Sequence, residues 1–483
     1  MSSHVIIYGL GSAAVAALNF VLFAIYARYL QPEDYGAMSL IVSVCSAVSM
    51  VGLLGMNNAV QRFFFDAKDD AGKRRIWGTG LVGSLALTAA LVLLAGVAFR
   101  WLDRAQPALA GGAALLAVVA VLPQVLLTWL QDFSRLQFQP WRFALIGLVQ
   151  AVTAGAAGLV FVAGFGLGLS GFFAGALLGA VVTGAIAAVG ARGAWPLAFS
   201  REELTRLVRF GAPFVPAGVF IWASSAVLRW QIAHYRGLEE AGLFEVAWKL
   251  SAPVWMLNAA IGQAFGPYAF RLRAEVPDYR ARLVDIFHLI GLVTLVASCG
   301  VAVFARELCG WVVPAAYAGA TLPCAILAVA FYFSALHQVT ALGIAFGEQS
   351  RLIAVGWGGA ALASLLLAFW LVPVLGAVGA AWCVLAVYAG LNGFYLLHSQ
   401  RLHALPFRAG PILVHVAVGG LTIGLVAFLR EQPISVPVLA VKLGWCMLVA
   451  LVLLRWGGSD VGRIRGMLRN FAAGFGAKRA AAR

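Results

Sequence analysis

The polar stretches of this chain are too short to fold on their own, and this property constrains its fold more than any other. Continuous apolar runs of about 20 residues follow one another almost to the C-terminus. Charged residues make up 11% of the 483 residues, whereas a soluble domain carries about 25%. Because continuous runs in lipid must be helical, the sequence predicts an all-α integral membrane protein. It excludes a soluble catalytic, nucleotide-binding or large extracellular domain.

The number of bilayer crossings follows from the apolar runs. A crossing needs about 20 apolar residues, and the first run follows Met1 closely without a cleavage site, so we expect a retained helix and no removable signal. We predict about fourteen transmembrane helices, called spans 1 to 14. They cover residues 5–30, 36–63, 76–99, 109–131, 142–164, 169–190, 208–229, 242–266, 284–305, 318–346, 352–373, 376–397, 411–429 and 437–455.

The basic residues are distributed unevenly over the connections between the spans. With the N-terminus inside, 25 of the 34 Lys and Arg residues lie in cytoplasmic connections or in the C-terminal tail, and 7 lie on the opposite side. The positive-inside rule therefore predicts a multi-pass protein of a bacterial inner (plasma) membrane with both termini in the cytoplasm. The net charge of +15 is explained by topology and anionic lipid, and no nucleic-acid partner is expected.

The C-terminal tail, residues 456–483, differs from the rest of the chain. Apolar residues recur every three to four positions from Val461 to Phe475, with arginines between them. This pattern predicts a basic amphipathic helix that lies on anionic lipids of the inner leaflet. A binding site for a partner protein is the alternative.

The cysteines do not indicate a metal or redox site. All six stand singly within or beside apolar segments, without a CxxC pair or a cluster with histidine. We interpret them as small core residues and predict no metal site and no cofactor.

Two short sequences recur at almost the same spacing and indicate a duplication. The run 27–36 recurs at 233–242 with Ala, Tyr, Glu and Gly in place, and Gly168–Gly171 recurs as Gly376–Gly379; the offsets are 206 and 208 residues. Because six spans separate the copies, they are parallel repeats, between which transporters commonly place the substrate path. The predicted domains are an N-terminal lobe (1–191, spans 1–6), a C-terminal lobe (192–410, spans 7–12), two appended spans (411–455) and the tail (456–483).

The longest motifs are FAIYARYLQPEDYGAMSL at 23–40 and GLLGMNNAVQRF at 52–63, with further motifs at 135–143, 213–216 and 371–381. In these the chain resembles polysaccharide transporters, the Wzx-type flippases of the multidrug/oligosaccharidyl-lipid/polysaccharide superfamily. The resemblance extends over nearly the whole chain. It departs from the family late in span 7, where an acidic residue often precedes the arginine and Leu228 stands before Arg229.

The resemblance implies a fold and a function. The implied MATE-like fold has two six-helix lobes around a central, usually cationic cavity and works by alternating access. The implied activity is not enzymatic: it moves a polyprenyl-diphosphate-linked oligosaccharide from the cytoplasmic to the outer leaflet for surface polysaccharide biosynthesis. O-antigen, capsule and exopolysaccharide all remain open as the polymer. A polysaccharide polymerase and other assembly proteins are further candidate partners.

Polar and charged residues in or beside the spans are the candidate site, since charge within lipid is costly and usually functional. A diphosphate suits the planar fork of arginine and the point charge of lysine. Glu245 is assigned to ion coupling or to a charge pair, because it lies four residues before Lys249 on one helix face. The predicted substrate-binding residues are Arg28, Asn58, Arg62, Arg229 and Lys249.

Simpler roles remain open for these residues. Arg28 and Arg229 can snorkel to the interface from helix ends, and Arg62 can be a topology signal beside a basic loop. Pro213 and Pro216 are predicted to kink span 7 and act as a hinge, although proline is also frequent in membrane helices without such a role.

Two other functions are weighed against the flippase. A multidrug or small-molecule antiporter of the same superfamily shares the two-lobe pattern, but the opening motif and the two appended spans argue against it. A polysaccharide polymerase or ligase would carry a long outer loop or acidic pairs at the membrane face. The acidic pairs Glu33–Asp34 and Glu239–Glu240 occupy equivalent repeat positions, which indicates an architectural role.

Overall fold

The computed structural model describes residues 2–67, 69–102, 112–189, 198–347 and 349–457. Every regular element in these ranges is helical, which confirms the predicted fold class. The tail beyond Gly457, including the predicted amphipathic helix, lies outside the described residues.

The helices follow one another with short connections. A π-helical turn, Val160–Gly164, extends α6, and short 3₁₀ segments cover Phe64–Asp66 and Ala315–Ala320. The helices are α1 Ser2–Tyr26, α2 Pro32–Leu53, α3 Met56–Phe63, α4 Asp70–Leu102, α5 Gly112–Leu136, α6 Pro140–Leu159, α7 Gly168–Val189, α8 Arg201–Gly211, α9 Phe214–Glu275, α10 Tyr279–Val303, α11 Ala305–Val312, α12 Thr321–Thr340, α13 Leu342–Phe346, α14 Ser350–Leu402, α15 Ala409–Leu429 and α16 Val436–Trp456.

Two of these helices are long enough to cross a bilayer twice. α9 has 62 residues and is broken at Gly237 (φ 90°), and α14 has 53 residues and is broken at Gly376 (φ 56°). We call the parts α9a (214–236), α9b (238–275), α14a (350–375) and α14b (377–402). At 1.5 Å per residue each parent helix exceeds about 75 Å, against a hydrocarbon core of about 30 Å.

The number of spans agrees with this division. In the described ranges, eleven helical segments are long and apolar enough to cross a membrane, or up to twelve when the bent pair of α8 and the start of α9 counts as one. That number takes α14 as one segment. With α9 and α14 each divided at its glycine, the structure fits the fourteen predicted spans.

Two predicted spans begin or end differently from the sequence-based expectation. Predicted span 2 (36–63) is interrupted, because Leu54 (φ 46°) and Gly55 (φ 65°) adopt left-handed conformations that end α2 and separate it from α3. Predicted span 7 (208–229) starts inside the amphipathic helix α8, and the spanning part begins only at Phe214. In both places a backbone break divides a run that is apolar enough to look continuous.

The shorter repeat forms the same turn twice. Gly168 and Gly376 both have positive φ, 50° and 56°. Three residues later, Gly171 lies against the backbone of Phe161 at the end of the preceding helix, and Gly379 lies in the same way against Leu371. Left-handed backbone at the turn and close helix packing after it both favour glycine, so the conserved spacing within this chain has a structural cause.

The longer repeat makes a contact between its own two copies. A Cβ added at Gly36 would overlap the carbonyl oxygen of Leu238, and a Cβ added at Gly242 would overlap that of Pro32. Gly36 and Gly242 are equivalent in the repeat, as are Pro32 and Leu238. Each glycine therefore touches the residue that corresponds to its own neighbour in the other copy, as expected for two copies related by an axis between them.

The chain divides into two compact units, Met1–Glu245 and Val246–Arg483. The core of the first contains Trp77, whose ring lies 6.1 Å from that of Trp129 and 4.8 Å from that of Phe133. The core of the second is built around α12, where Tyr332, Ala335 and Val339 are buried. The first unit thus contains α9a in addition to α1–α8.

We predict that the repeat glycines tolerate no side chain. Gly36→Ala or Gly242→Ala forces a methyl group into a backbone carbonyl that cannot move without its helix, so each variant should lose at least about 1–3 kcal/mol of stability. Thermal unfolding in detergent measures this loss. Gly420→Ala, where a Cβ would meet nothing within 4 Å, is the matched control. Unchanged melting of Gly36→Ala would contradict the contact.

Candidate functional site

An ion pair joins the two parts of α9. Nε of Arg229 lies 3.0 Å from Oε2 of Glu245, and the side chains are 14% and 13% exposed. Nη1 of Arg229 also donates to the carbonyl of Ser225 at 3.0 Å, and the guanidinium lies 5.9 Å from the ring centre of Phe244. Arg229 precedes and Glu245 follows the break at Gly237 by eight residues each, about 12 Å along a helix, which explains why they face each other.

This pair changes two interpretations of the sequence. Glu245 has Arg229 as a partner, so its spacing from Lys249 does not by itself account for its charge. Glu245 also supplies a carboxylate beside the arginine, a group that the family places directly before it. Leu228, which stands at that position, is buried. The acid is present but comes from the next helical part.

Lys249 lies four residues after Glu245 on α9b and is partly buried. Its position is twelve residues beyond Gly237, about 18 Å along the helix, so it lies well within a spanning segment. The second compact unit begins at Val246 and includes it.

The other candidates lie at the two ends of α2. Arg28 is exposed in the turn that follows α1, before α2 begins. Asn58 and Arg62 are exposed on α3, beyond the far end of α2, and Nη1 of Arg62 lies 2.8 Å from Oδ2 of Asp66. α2 has 22 residues, about 33 Å. A single diphosphate, a few ångströms long, cannot contact both groups at once.

Neither candidate hinge proline interrupts a helix. Pro213 lies in the turn between α8 and α9, and Pro216 lies in the first turn of α9, where a missing N–H leaves no helical hydrogen bond unmade. The two helices meet at 45°. The expected kink inside span 7 is thus a break at its start, and the hinge role stays a prediction.

A second buried ion pair escaped the sequence analysis. Nζ of Lys442 lies 2.7 Å from both carboxylate oxygens of Glu307, with side chains 5% and 7% exposed. It joins α16 to α11. The signal was available, since Lys442 stands in the last apolar run, where the rule for ionisable residues in lipid applies to it as to Lys249.

A buried histidine cluster also went unnoticed. Nδ1 of His415 lies 2.8 Å from the hydroxyl of Tyr332, and its Nε2 lies 3.2 Å from the carbonyl of Gly457. The ring of His288 lies 6.3 Å from that of His415. Within the described ranges, no three His, Cys, Asp or Glu side chains come close enough to hold a metal ion.

We predict that the Arg229–Glu245 pair behaves as a buried unit. Arg229→Leu should destabilise the protein by about 3–5 kcal/mol, because it leaves a carboxylate uncompensated, and Arg229→Leu/Glu245→Leu should recover most of this loss. Thermal unfolding in detergent measures both. Arg62→Leu, which removes an exposed pair, should cost at most about 1 kcal/mol. An Arg229→Leu variant as stable as Arg62→Leu would rule out a buried pair.

Comparison with solved structures identifies the fold. A lipid II flippase, MurJ, in an inward closed conformation superposes with a TM-score of 0.74 at 11% identity, over 93% of this chain and 98% of the other. An inward-facing multidrug resistance MATE transporter of the MOP superfamily gives 0.60 at 16%, over 80% and 94%. A MOP superfamily transporter from Pyrococcus furiosus gives 0.58 at 18%, over 83% and 95%.

Comparison with sequences identifies the family. A search of curated proteins finds no match. The family model described as polysaccharide biosynthesis protein matches residues 25–322, which is more than half of the chain and contains both copies of the longer repeat. The resemblance to polysaccharide transporters is thereby confirmed, and the chain belongs to the polysaccharide biosynthesis protein family.

Proposed function

We propose that this protein is a flippase for a polyprenyl-diphosphate-linked oligosaccharide repeat unit. It moves the unit from the cytoplasmic to the outer leaflet of a bacterial inner membrane by alternating access, for surface polysaccharide biosynthesis. The observation that carries this proposal is the combination of a polysaccharide biosynthesis family match with the MurJ-type fold, since the neighbour acts on a lipid-linked saccharide by its printed name. Both termini lie in the cytoplasm.

The positions of the charged residues support an anionic cargo. Arg28 and Arg229 lie towards one end of α2 and Asn58 and Arg62 at the other, so a diphosphate head group meets arginine near either leaflet. Lys249 supplies a positive charge between them, at membrane depth. Glu245 limits the local charge by pairing with Arg229, and it is also placed to take up a coupling ion.

An inside-negative potential assists this direction of transport. Moving one negative charge outward across 100 mV releases about 2.3 kcal/mol. The cytoplasmic tail, with its predicted basic amphipathic helix, binds anionic lipids of the inner leaflet. A polysaccharide polymerase and related assembly proteins receive the flipped unit.

A multidrug or small-molecule antiporter is the second candidate. MATE transporters share the fold over about four fifths of this chain, with TM-scores up to 0.60. An antiporter of this kind leaves surface polysaccharide unchanged when it is deleted, which distinguishes it from the flippase. A polymerase or ligase would convert its donor in detergent, where a flippase has no measurable turnover.

We predict that a deletion strain accumulates lipid-linked repeat units on the cytoplasmic leaflet and lacks the surface polymer. The wild-type gene should restore the polymer, whereas Lys249→Ala and Arg28→Ala should restore it at least about 10-fold less well, since one charge-assisted contact contributes about 1.5–3 kcal/mol. Surface polysaccharide and the sidedness of its labelled precursor are measured.

Two further variants control this experiment. Lys249→Arg keeps the charge and should rescue in part. Lys73→Ala, which removes a lysine paired with Asp70 at 3.6 Å near the start of α4, should rescue fully. Unchanged polymer and precursors in the deletion strain would refute the flippase and favour the antiporter.

We also predict that the break before α9 acts as a hinge. Pro213→Ala/Pro216→Ala allows α8 and α9 to join as one helix, so the transport rate should fall while folding is kept. The rate at which labelled polymer reaches the surface is the measurement, and protein amount in the membrane is the control. Normal transport by this variant would remove the hinge role.

A further inference from the structure

α2 and α9a pack along their whole length, and we call this interface the seam. At one end the Gly36 backbone lies against the carbonyl of Leu238, just beyond α9a, and the Gly242 backbone lies against that of Pro32. Neither approach leaves room for a side chain. All contacts of the seam lie within the first compact unit, Met1–Glu245.

The middle of the seam is held by two indoles on one serine. Nε1 of Trp222 donates to the carbonyl of Ser43 at 2.8 Å, and Nε1 of Trp230 donates to its hydroxyl at 3.0 Å. Trp222 and Trp230 are eight residues apart and therefore lie on the same face of α9a. In lipid, separation of the helices would leave these donors without water as a replacement partner.

The other end of the seam is closed as well. A Cβ added at Gly218 would lie 2.8 Å from Sδ of Met50, and one added at Gly211 would lie 2.6 Å from the carbonyl oxygen of Leu54. Beyond the break, the ring of Phe63 lies 5.2 Å from that of Phe210. Contact is thus continuous from Gly36 to Phe63.

Simultaneous closure at both ends limits what the seam can do. An interface that opens alternately to the two sides is closed at one end and open at the other in each open state. Here backbone approaches close both ends and hydrogen bonds hold the middle in the same structure.

We propose that α2 and α9a form a fixed spine that stays closed throughout transport. α9a then moves with α1–α8, although the repeat assigns it to the second lobe. The moving boundary lies after Gly237. This inference rests on the proposed flippase for its transport readout, but it is also tested by a distance measurement that needs no substrate.

A disulfide across the seam tests the proposal. In Met50→Cys/Gly218→Cys, the sulfur at residue 50 takes the place of Met50 Cγ, which lies 3.5 Å from a Cβ at residue 218. The substitution of Met50 also removes the Sδ atom that would clash. Leu22→Cys/Gly155→Cys is the matched control, because Leu22 Cγ lies 3.2 Å from a Cβ at residue 155 and both residues lie within α1–α8.

The variants replace the gene in the deletion strain, and copper phenanthroline forms the disulfides. Thiol labelling with a maleimide measures their yield. The rate at which pulse-labelled polysaccharide reaches the surface should stay above half of that before oxidation for both pairs. A fall below one tenth in the seam pair alone, reversed by dithiothreitol, would show that the seam opens and overturn the proposal. The single variants Met50→Cys and Gly218→Cys control for pairing with native cysteines.

A second readout judges the spine when the wild-type gene itself fails to restore polymer, which refutes the flippase and not the spine. Spin labels at Glu33→Cys and Glu239→Cys, both exposed at one end of the seam, report its width in lipid vesicles with and without an inside-negative potential. The partly exposed Cys45 and Cys446 are replaced by serine. One unchanged distance supports the spine, and a second, longer distance overturns it.

Discussion

A bilayer offers no hydrogen-bond partner to an unpaired backbone group, and this constraint governs where the chain can turn. Within lipid the backbone must stay helical, so changes of direction are confined to places where a residue accepts an unusual conformation. Gly55, Gly168, Gly237 and Gly376 have positive φ, and each lies at a helix break. The breaks define the ends of the spanning segments and thereby the depth of the residues that follow them.

The same absence of water applies to charge. An arginine or lysine at membrane depth needs a carboxylate, a cavity or a ligand. Arg229 finds Glu245 across the break at Gly237, and Lys442 finds Glu307 across a helix contact. The two pairs differ in what surrounds the partners. Arg229 and Glu245 lie near the candidate residues Arg28 and Lys249 along the chain fold, whereas Lys442 fastens the last helix to α11.

Features that depend on composition could be predicted from the sequence, and features that depend on three-dimensional proximity could not. The helical class, the fourteen spans and the repeat follow from apolar periodicity and from matching glycines. The break at Leu54–Gly55 could not be located, because Leu54 is an ordinary helix former and only packing forces it to positive φ. The pairing of Arg229 with Glu245 requires knowledge of the Gly237 turn, since sixteen residues separate them. Lys442 and Glu307 lie 135 residues apart, beyond any local pattern.

The contact between the repeat copies also has an evolutionary consequence. Gly36 meets the residue equivalent to position 32 of the other copy, and Gly242 meets Pro32 itself. Such reciprocity is the signature of an isologous, two-fold homodimer interface. A six-helix ancestor could have made this contact between two identical subunits, and fusion then freed the halves to diverge. At the offset of 206 residues, Ser39 and Ser43 correspond to Glu245 and Lys249. One half kept small hydroxyl residues that pack a helix, while the other placed opposite charges at the same two positions, so an ancestral symmetric pore has become an electrically one-sided one.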